Sequence, residues 1–157
     1  MIDRLIEKIC ATGNPTVVGL DPRLDLIPMA IKEESYSRYG RTPEGVADSF
    51  FLFNKALIDA LYDIVPAVKP QIAMYEALGV AGLVAYDKTI IYAKKKGLVV
   101  IGDVKRGDIS TTAAAYADAH LGVTRVDRTP FKGFDADMIT LNPYMGVDSI
   151  NPFLEVM

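Results

Sequence analysis

The chain has 157 residues, 50% of them hydrophobic, so it can bury the core of one domain and lacks the composition of a disordered segment. Its 17 Lys and Arg against 20 Asp and Glu leave a net charge of -3, which excludes an overall positive field for nucleic acid and leaves small anionic substrates open. No apolar run approaches the roughly 20 residues of a membrane span, and residues 1–12 do not resemble an export signal, so we expect a cytoplasmic protein without a membrane partner.

The first forty residues predict a helix, a strand and an insertion. Apolar residues recur at helical spacing through the first twelve positions, and Cys10, the only cysteine, is expected to be a reduced thiol packed within that helix. Residues 16–20, TVVGL, read as a β-branched strand that ends at Asp21 and a proline. Residues 23–43 show little periodicity and are expected to be an insertion with one short helix.

The middle of the chain alternates helix and strand. A long helical pattern runs over residues 44–64 after a Thr-Pro entry, and a proline marks its end. A very short strand is predicted at 67–71, where Lys69 is an unusual residue within an apolar strand. Residues 73–78 and 80–96 then read as helix, and the second of these ends in three lysines and a glycine.

The last third repeats this alternation. Residues 98–102 are a buried strand candidate, and an alanine-rich helix is predicted over 113–121. A polar connection over 122–135 leads to a fourth strand at 137–141 and a short final helix at 149–156. Strands separated in this way by helices predict βαβ units, and therefore an α/β fold with parallel strands, as a barrel or an open sheet.

Five charged residues follow or end these predicted strands: Asp21, Lys69, Asp103, Lys105 and Asp108. Side chains at the carboxyl ends of parallel strands form the active sites of such folds, so we expect the five to converge. In an alternating array each carboxylate keeps its neighbouring lysine protonated, and a protonated lysine beside a reacting carbon is a general acid. The pattern therefore favours a catalytic site over a solvated turn.

The same residues resemble a known family. Residues 103–109, DVKRGDI, with Thr112 four positions after the second aspartate, are similar to the D-x-K-x-x-D-I-x-x-T signature of the orotidine 5'-phosphate decarboxylase family. Asp21 within GLDP and Lys69 within VKPQ match that family's first two strands, and residues 136–150 match its fourth strand and loop. The resemblance covers nearly the whole chain.

The resemblance implies a (β/α)8 TIM barrel of which about the first four βα units are present, as a single domain over residues 1–157. The insertion at about 23–43 suggests the longer bacterial branch. The implied reaction is the decarboxylation of orotidine 5'-monophosphate to uridine 5'-monophosphate, without metal or cofactor, by a homodimer with a shared active site. A full barrel takes about 250 residues, so we expect an incomplete enzyme that lacks the phosphate-binding half and is weak or inactive alone.

The resemblance also implies roles for individual residues. Lys105 would protonate the carbon that loses carbon dioxide, with Asp103 against the departing carboxylate and Lys69 holding Asp103. Asp108 completes the catalytic set by reaching into the neighbouring subunit's site. The implied substrate-binding residues are Asp21 and Lys69 at the ribose, Thr112 across the dimer interface, and Asn142 in the turn after the fourth strand.

Two alternatives stay open. A magnesium-dependent sugar-phosphate decarboxylase or aldolase of the same superfamily shares D-x-K-x-x-D, but resembles this chain less because Lys69 stands where those relatives have an acidic ligand. The other alternative is a non-catalytic half-barrel that serves as an assembly module. His120, the only histidine, excludes a zinc site made of several histidines and is expected at the surface or as a helix cap.

Overall fold

A computed structural model describes residues 1–157, which fold into two compact units, Met1–Val100 and Ile101–Met157. No helix in it combines the length and the apolar character that crossing a bilayer requires. One strand, β3 (Val99–Arg106), begins in the first unit and continues in the second.

The first unit alternates helices with parallel strands. Strands β1 and β2 pair in parallel, with Gly19 opposite Lys69, and β2 pairs in parallel with the first two residues of β3. The longest helix starts where the sequence predicts it, because Thr42 accepts a hydrogen bond from the Gly45 N–H and a proline occupies its first turn. The elements in chain order are α1 (Ile2–Thr12), β1 (Val17–Leu20), α2 (Met29–Tyr39), α3 (Pro43–Leu61), β2 (Ala67–Pro70), α4 (Ile72–Glu76) and α5 (Gly79–Lys95).

Helices α3, α4 and α5 pack around a buried polar cluster. The Asn54 side chain donates to Tyr75 Oη at 2.7 Å and to Thr89 Oγ1 at 3.3 Å. All three side chains are at most 1% exposed. Burial raises the pKa of the Tyr75 phenol, so the cluster is uncharged at ordinary pH.

The second unit adds one more parallel strand and a hairpin. Its core is formed by Ala113, Ala117 and Phe153, against which Ile139 and Leu141 pack. Strand β6 pairs in parallel with β3, whereas β4 and β5 pair only with each other, antiparallel. After β3 the elements are α6 (Ser110–His120), β4 (Thr124–Val126), β5 (Thr129–Phe131), β6 (Met138–Leu141), a 3-10 turn (Val147–Ser149) and α7 (Asn151–Glu155).

The predicted helices and four parallel strands are confirmed, except that the final helix expected at 149–156 is a 3-10 turn followed by the shorter α7. Two further differences concern β3 and the connection before β6. The third strand was expected to stop at Gly102 but continues to Arg106, because its later residues pair with β6. The connection over residues 122–135 contains a short hairpin that the sequence did not indicate. All six hairpin residues are exposed, so no alternation of apolar and polar side chains marks them.

Two expectations about single residues are wrong. Cys10 is exposed, because α1 buries none of its residues and its apolar pattern does not enter a core. His120 is 2% exposed instead of lying at the surface. The connection folds back over the end of α6, where Ala136 N donates to the His120 carbonyl at 2.9 Å and Phe134 stacks on the imidazole at 5.2 Å.

Candidate active site

The central feature of the second unit is a bulge in β3. Gly102 pairs with Ile139 and Arg106 pairs with Leu141, so Asp103, Val104 and Lys105 stand opposite the single residue Thr140. A bulge bends its strand and redirects side chains, and such features are common beside active sites. Lys105 has a φ of 46°, in the left-handed region that non-glycine residues rarely occupy.

Asp103 and Lys105 form an ion pair at this bulge. Lys105 Nζ donates to Asp103 Oδ1 at 2.7 Å, and the Thr140 hydroxyl donates to the same oxygen at 2.8 Å. The Asp103 side chain is 8% exposed, whereas that of Lys105 is 63% exposed. A buried carboxylate needs donors to offset its lost hydration, and these two supply them. The outcome is a fixed anion beside an accessible ammonium.

The loop after β3 carries Asp108 and Thr112. Asp108 Oδ1 accepts a hydrogen bond from the Ile109 N–H at 2.8 Å, and no ion pair within the chain includes this carboxylate. Ser110, which begins α6, has a φ of 52°, and no side chain caps this helix. Thr112 is exposed on the first turn. Asp108 is thus half-buried with one local hydrogen bond, and Thr112 is exposed.

Asn142 lies against the loop that begins at Arg106. Its N–H donates to the Arg106 carbonyl at 2.8 Å, and its side-chain oxygen accepts the Tyr144 N–H at 3.0 Å. A Cβ on Gly107 would lie 2.9 Å from the Asn142 carbonyl oxygen, so only glycine permits this close approach. In this structure the Asn142 side chain therefore stabilises the turn that follows β6.

Asp21 and Lys69 are placed by the first unit. Asp21 follows the last residue of β1, and Lys69 lies in the adjacent β2, so both are at the carboxyl ends of neighbouring parallel strands as expected. Asp21 is exposed and Lys69 is half-buried. The Asp21 carboxylate folds back over Gly19, where an added Cβ would lie 2.7 Å from Asp21 Oδ2.

The sequence reasoning missed Thr140. A signal for it exists, because Thr140 is a polar residue in the short apolar strand MITL, the same kind of exception that singled out Lys69. Its partner could not be inferred, since the hydrogen bond to Asp103 joins residues 37 positions apart through a bulged register. Thr140 is thus part of the second unit's site by geometry alone.

Other features of the chain bear on ligands. No group of three or more His, Cys, Asp or Glu side chains is arranged to hold a metal ion. A hollow of about 330 Å³ lies in the first unit between α2, α3 and α5, with Tyr39, Phe51 and Lys88 among its lining residues. None of the predicted site residues lines it.

The strand ends of the second unit carry a buried carboxylate paired with an accessible ammonium. This arrangement suits proton donation to an anionic centre.

Comparison with known proteins identifies close relatives. The chain is 45% identical over 156 residues to an orotidine 5'-phosphate decarboxylase from Petrotoga mobilis, which covers 99% of the chain and 47% of the relative. It is 46% identical over 155 residues to the protein of the same name from Clostridium novyi, covering 98% of the chain and 47% of the relative. The chain therefore spans about half the length of these relatives.

A solved structure and a family model agree with these matches. The OMP decarboxylase structure from Leishmania donovani matches with a TM-score of 0.72 and 31% identity, over 98% of this chain and 48% of that one. The fold is thus α/β and comprises about the first four βα units of a TIM barrel. The model of the Orotidine 5'-phosphate decarboxylase / HUMPS family matches residues 52–157, which include the Asp103–Lys105 pair and Thr140. The chain belongs to the orotidine 5'-phosphate decarboxylase / HUMPS family.

Proposed function

We propose that the protein decarboxylates orotidine 5'-monophosphate to uridine 5'-monophosphate, and that this chain supplies the half of the enzyme that performs the proton transfer. The observation that carries the proposal is the exposed Lys105 ammonium, bonded at 2.7 Å to the buried Asp103 carboxylate. The family match over residues 52–157 and the names of the relatives support this choice of substrate.

The proposed step uses Lys105 as the proton donor. As the carbon–carbon bond to the carboxylate breaks, carbon dioxide leaves and the electron pair remains on the pyrimidine carbon. The Lys105 ammonium stabilises this developing negative charge and then transfers a proton to the same carbon, which leaves a neutral amine that solvent reprotonates. No oxidant or reductant is needed, because the pyrimidine carbon exchanges carbon dioxide for a proton.

Asp103 has two proposed parts in this reaction. It holds the ammonium in place, since Lys105 Nζ has a carboxylate partner fixed in a buried position. It also lies where the substrate carboxylate departs, so that repulsion between the two anions favours loss of carbon dioxide. Stabilisation by Lys105 is the better supported contribution of the two, because destabilisation of the bound substrate is hard to verify from a static structure.

The other candidate residues are proposed to bind the substrate. Asp21 and Lys69 are carried over as ribose-binding groups at the ends of β1 and β2. Asn142 is carried over as a substrate contact, with its side-chain oxygen already bonded to the Tyr144 N–H. These assignments follow from matching positions in the family pattern.

We also propose a homodimer in which Asp108 and Thr112 complete the partner's site. Asp108 accepts a hydrogen bond from the Ile109 N–H and forms no ion pair within the chain, and Thr112 is exposed. A carboxylate placed in this way is available to a lysine of a second copy. Residues 1–157 are proposed to act as one domain that corresponds to the first half of the enzyme.

The test compares the 157-residue chain with a completed protein, in which the chain is joined to the second half of the Clostridium novyi relative. We expect the completed protein to form uridine 5'-monophosphate, measured by chromatography, equally well with and without a chelator. We expect the chain alone to be at least ~100-fold slower, because remote contacts to the phosphate supply much of the transition-state binding.

The alternatives give different results in the same experiment. Activity that disappears with the chelator would indicate the magnesium-dependent relatives instead. A completed protein that folds, forms a dimer by native mass spectrometry and turns over no substrate would contradict the proposed reaction and favour an assembly module.

A further inference from the structure

Thr140 closes a ring of hydrogen bonds around Lys105. The Lys105 N–H donates to Thr140 Oγ1 at 3.0 Å, and Thr140 Oγ1 donates to Asp103 Oδ1 at 2.8 Å. The ring is completed by Lys105 Nζ, which donates to the same Asp103 oxygen at 2.7 Å. One hydroxyl thus fixes the lysine at both its backbone and, through the carboxylate, its ammonium.

The direction of these bonds follows from the chemistry of the hydroxyl. Thr140 has a single O–H proton and two acceptor lone pairs. Because one lone pair receives the Lys105 N–H, the proton is free to point at Asp103, where a bond to a charged acceptor is stronger than a neutral one. Valine has the shape of threonine but can form neither bond.

The bulge explains why the backbone of Lys105 needs this partner. Across from Thr140, β3 has three residues where a regular ladder would have one, so Lys105 has no backbone partner in the pairing with β6. Its φ of 46° is costly for a residue with a side chain. The Thr140 hydroxyl substitutes for the missing ladder bond and keeps Lys105 in this conformation.

A purely structural role does not account for the arrangement. The bond from the Lys105 N–H is solvent-exposed, so water could satisfy that donor at little cost in stability. The Lys105 ammonium is also largely exposed, so its own loss of hydration in the ion pair is small. The threonine also contributes orientation, because one hydroxyl bonds both the Lys105 backbone and the Asp103 carboxylate that holds the lysine.

We propose that Thr140 is a positioning residue for the decarboxylation, which holds Lys105 and Asp103 in the geometry that proton transfer requires. The inference rests on the proposed function for its catalytic consequence. The hydrogen-bond geometry around Lys105 is independent of the proposed function and can be measured separately.

The test compares Thr140→Val, which removes the hydroxyl at constant shape, with Thr140→Ser, which restores the hydroxyl without the methyl group. Thr124→Val is the matched control, because Thr124 is exposed in β4 of the same unit. In the completed protein we expect Thr140→Val to lower kcat by roughly 10- to 100-fold, the range that one hydrogen bond to a charged group provides. KM should change less than about 3-fold, and Thr140→Ser should recover most of kcat.

A second readout does not need activity. In the 157-residue chain we expect the Lys105 amide hydrogen to exchange with solvent at least ~10-fold faster in Thr140→Val than in the parent or in Thr140→Ser, measured by NMR. If the completed parent protein is inactive while this exchange difference is found, the reaction is wrong and the positioning geometry stands. Unchanged exchange at Lys105, a loss of kcat that serine does not restore, or faster exchange across the whole unit would each overturn the proposal.

Discussion

Two polar clusters of this chain are each built around a threonine, and they differ in charge and exposure. In the first unit, Thr89 is 1% exposed, donates to the Ala85 carbonyl at 2.8 Å and accepts from Asn54 at 3.3 Å. In the second unit, Thr140 is half-buried and joins an ion pair whose ammonium is 63% exposed. The Thr89 cluster is neutral and buried, whereas the Thr140 cluster is charged and partly exposed.

The difference in burial between the two clusters predicts that one matters for folding and the other for catalysis. A buried donor or acceptor that loses its partner pays its full desolvation cost, so breaking the Thr89 cluster should damage folding. In the Thr140 cluster the exposed ammonium can return to water, and the buried Asp103 carboxylate keeps one donor when the other is removed, so a mutation there should cost less stability. The same cluster holds the group that the proposed reaction needs. The comparison therefore predicts opposite consequences for mutations at the two clusters.

The largest expected effect is on catalysis. Lys105→Ala in the completed protein should lower kcat by at least ~1,000-fold, within the range that a positioned proton donor contributes. The free energy of unfolding should fall by only about 1 kcal/mol, because the lysine side chain is exposed and the buried Asp103 carboxylate keeps its hydrogen bond from Thr140. Steady-state turnover and urea unfolding measure the two quantities.

The matched control for this substitution is Lys132→Ala. Lys132 is also an exposed lysine with one aspartate partner, Asp135, at 2.6 Å in the same unit. We expect Lys132→Ala to leave kcat within about 2-fold of the parent. Near-normal turnover of Lys105→Ala would contradict its assignment as the proton donor.

The second effect is on stability. Asn54→Ala should lower the free energy of unfolding by about 3 kcal/mol, because it leaves the Tyr75 and Thr89 hydroxyls short of a partner and opens a cavity. Thr89→Val, which keeps the shape and removes one hydroxyl, should cost about 1 kcal/mol. Urea unfolding of the 157-residue chain measures both. Asn151→Ala, at an exposed asparagine without a capping bond, should be neutral. A loss below about 1 kcal/mol for Asn54→Ala would show that the buried Thr89 cluster is not stabilising.

The sequence predicted the helices and strands that carry both clusters, but of the clustered side chains it predicted only Asp103 and Lys105. Helical spacing and β-branched runs placed α3, α5 and all four parallel strands, because burial of one face imposes those periods. The same reasoning brought Asp103 and Lys105 to a strand end. It could not find the bulge, since a bulge depends on pairing with β6 and leaves no local period.

Other misses have the same physical origin. The expectations for Cys10 and His120 rest on their own helices, but burial depends on what packs against a helix from elsewhere in the chain. For His120 the covering residue is Phe134, which a return of the chain brings onto the imidazole. Thr140 belongs to this class as well, because its importance comes from a partner 37 residues away.

A third, smaller effect tests whether moving the Asp21 carboxylate lowers catalytic efficiency without affecting stability. Gly19→Ala places a Cβ where Asp21 Oδ2 now lies, so the carboxylate must move while the extended backbone accepts alanine. In the completed protein we expect kcat/KM to fall by about 10-fold, as for one lost hydrogen bond to substrate, with unfolding unchanged within about 0.5 kcal/mol. The control is the Asp21→Ala background, in which Gly19→Ala should have no further effect on kcat/KM. An equal effect with and without Asp21 would show that Gly19 acts in some other way.

The smallest effect concerns the exposed charged cluster around Asp59, which lies on helices and has no proposed role in catalysis. Hydrogen bonds from Lys96, Tyr92 and Lys55 hold the pKa of the Asp59 carboxyl well below its usual range. A pKa lowered by folding adds stability that is complete above the unfolded value, about 3.9, and is lost as pH falls below it. Asp59→Asn should therefore show a smaller loss of stability than the parent between pH 6 and pH 3, measured by urea unfolding. Tyr92→Phe, which removes one donor at constant charge, should show an intermediate loss, and neither variant should change kcat in the completed protein. A loss of kcat in Asp59→Asn would show that an exposed charged cluster can affect catalysis without lying at the strand ends.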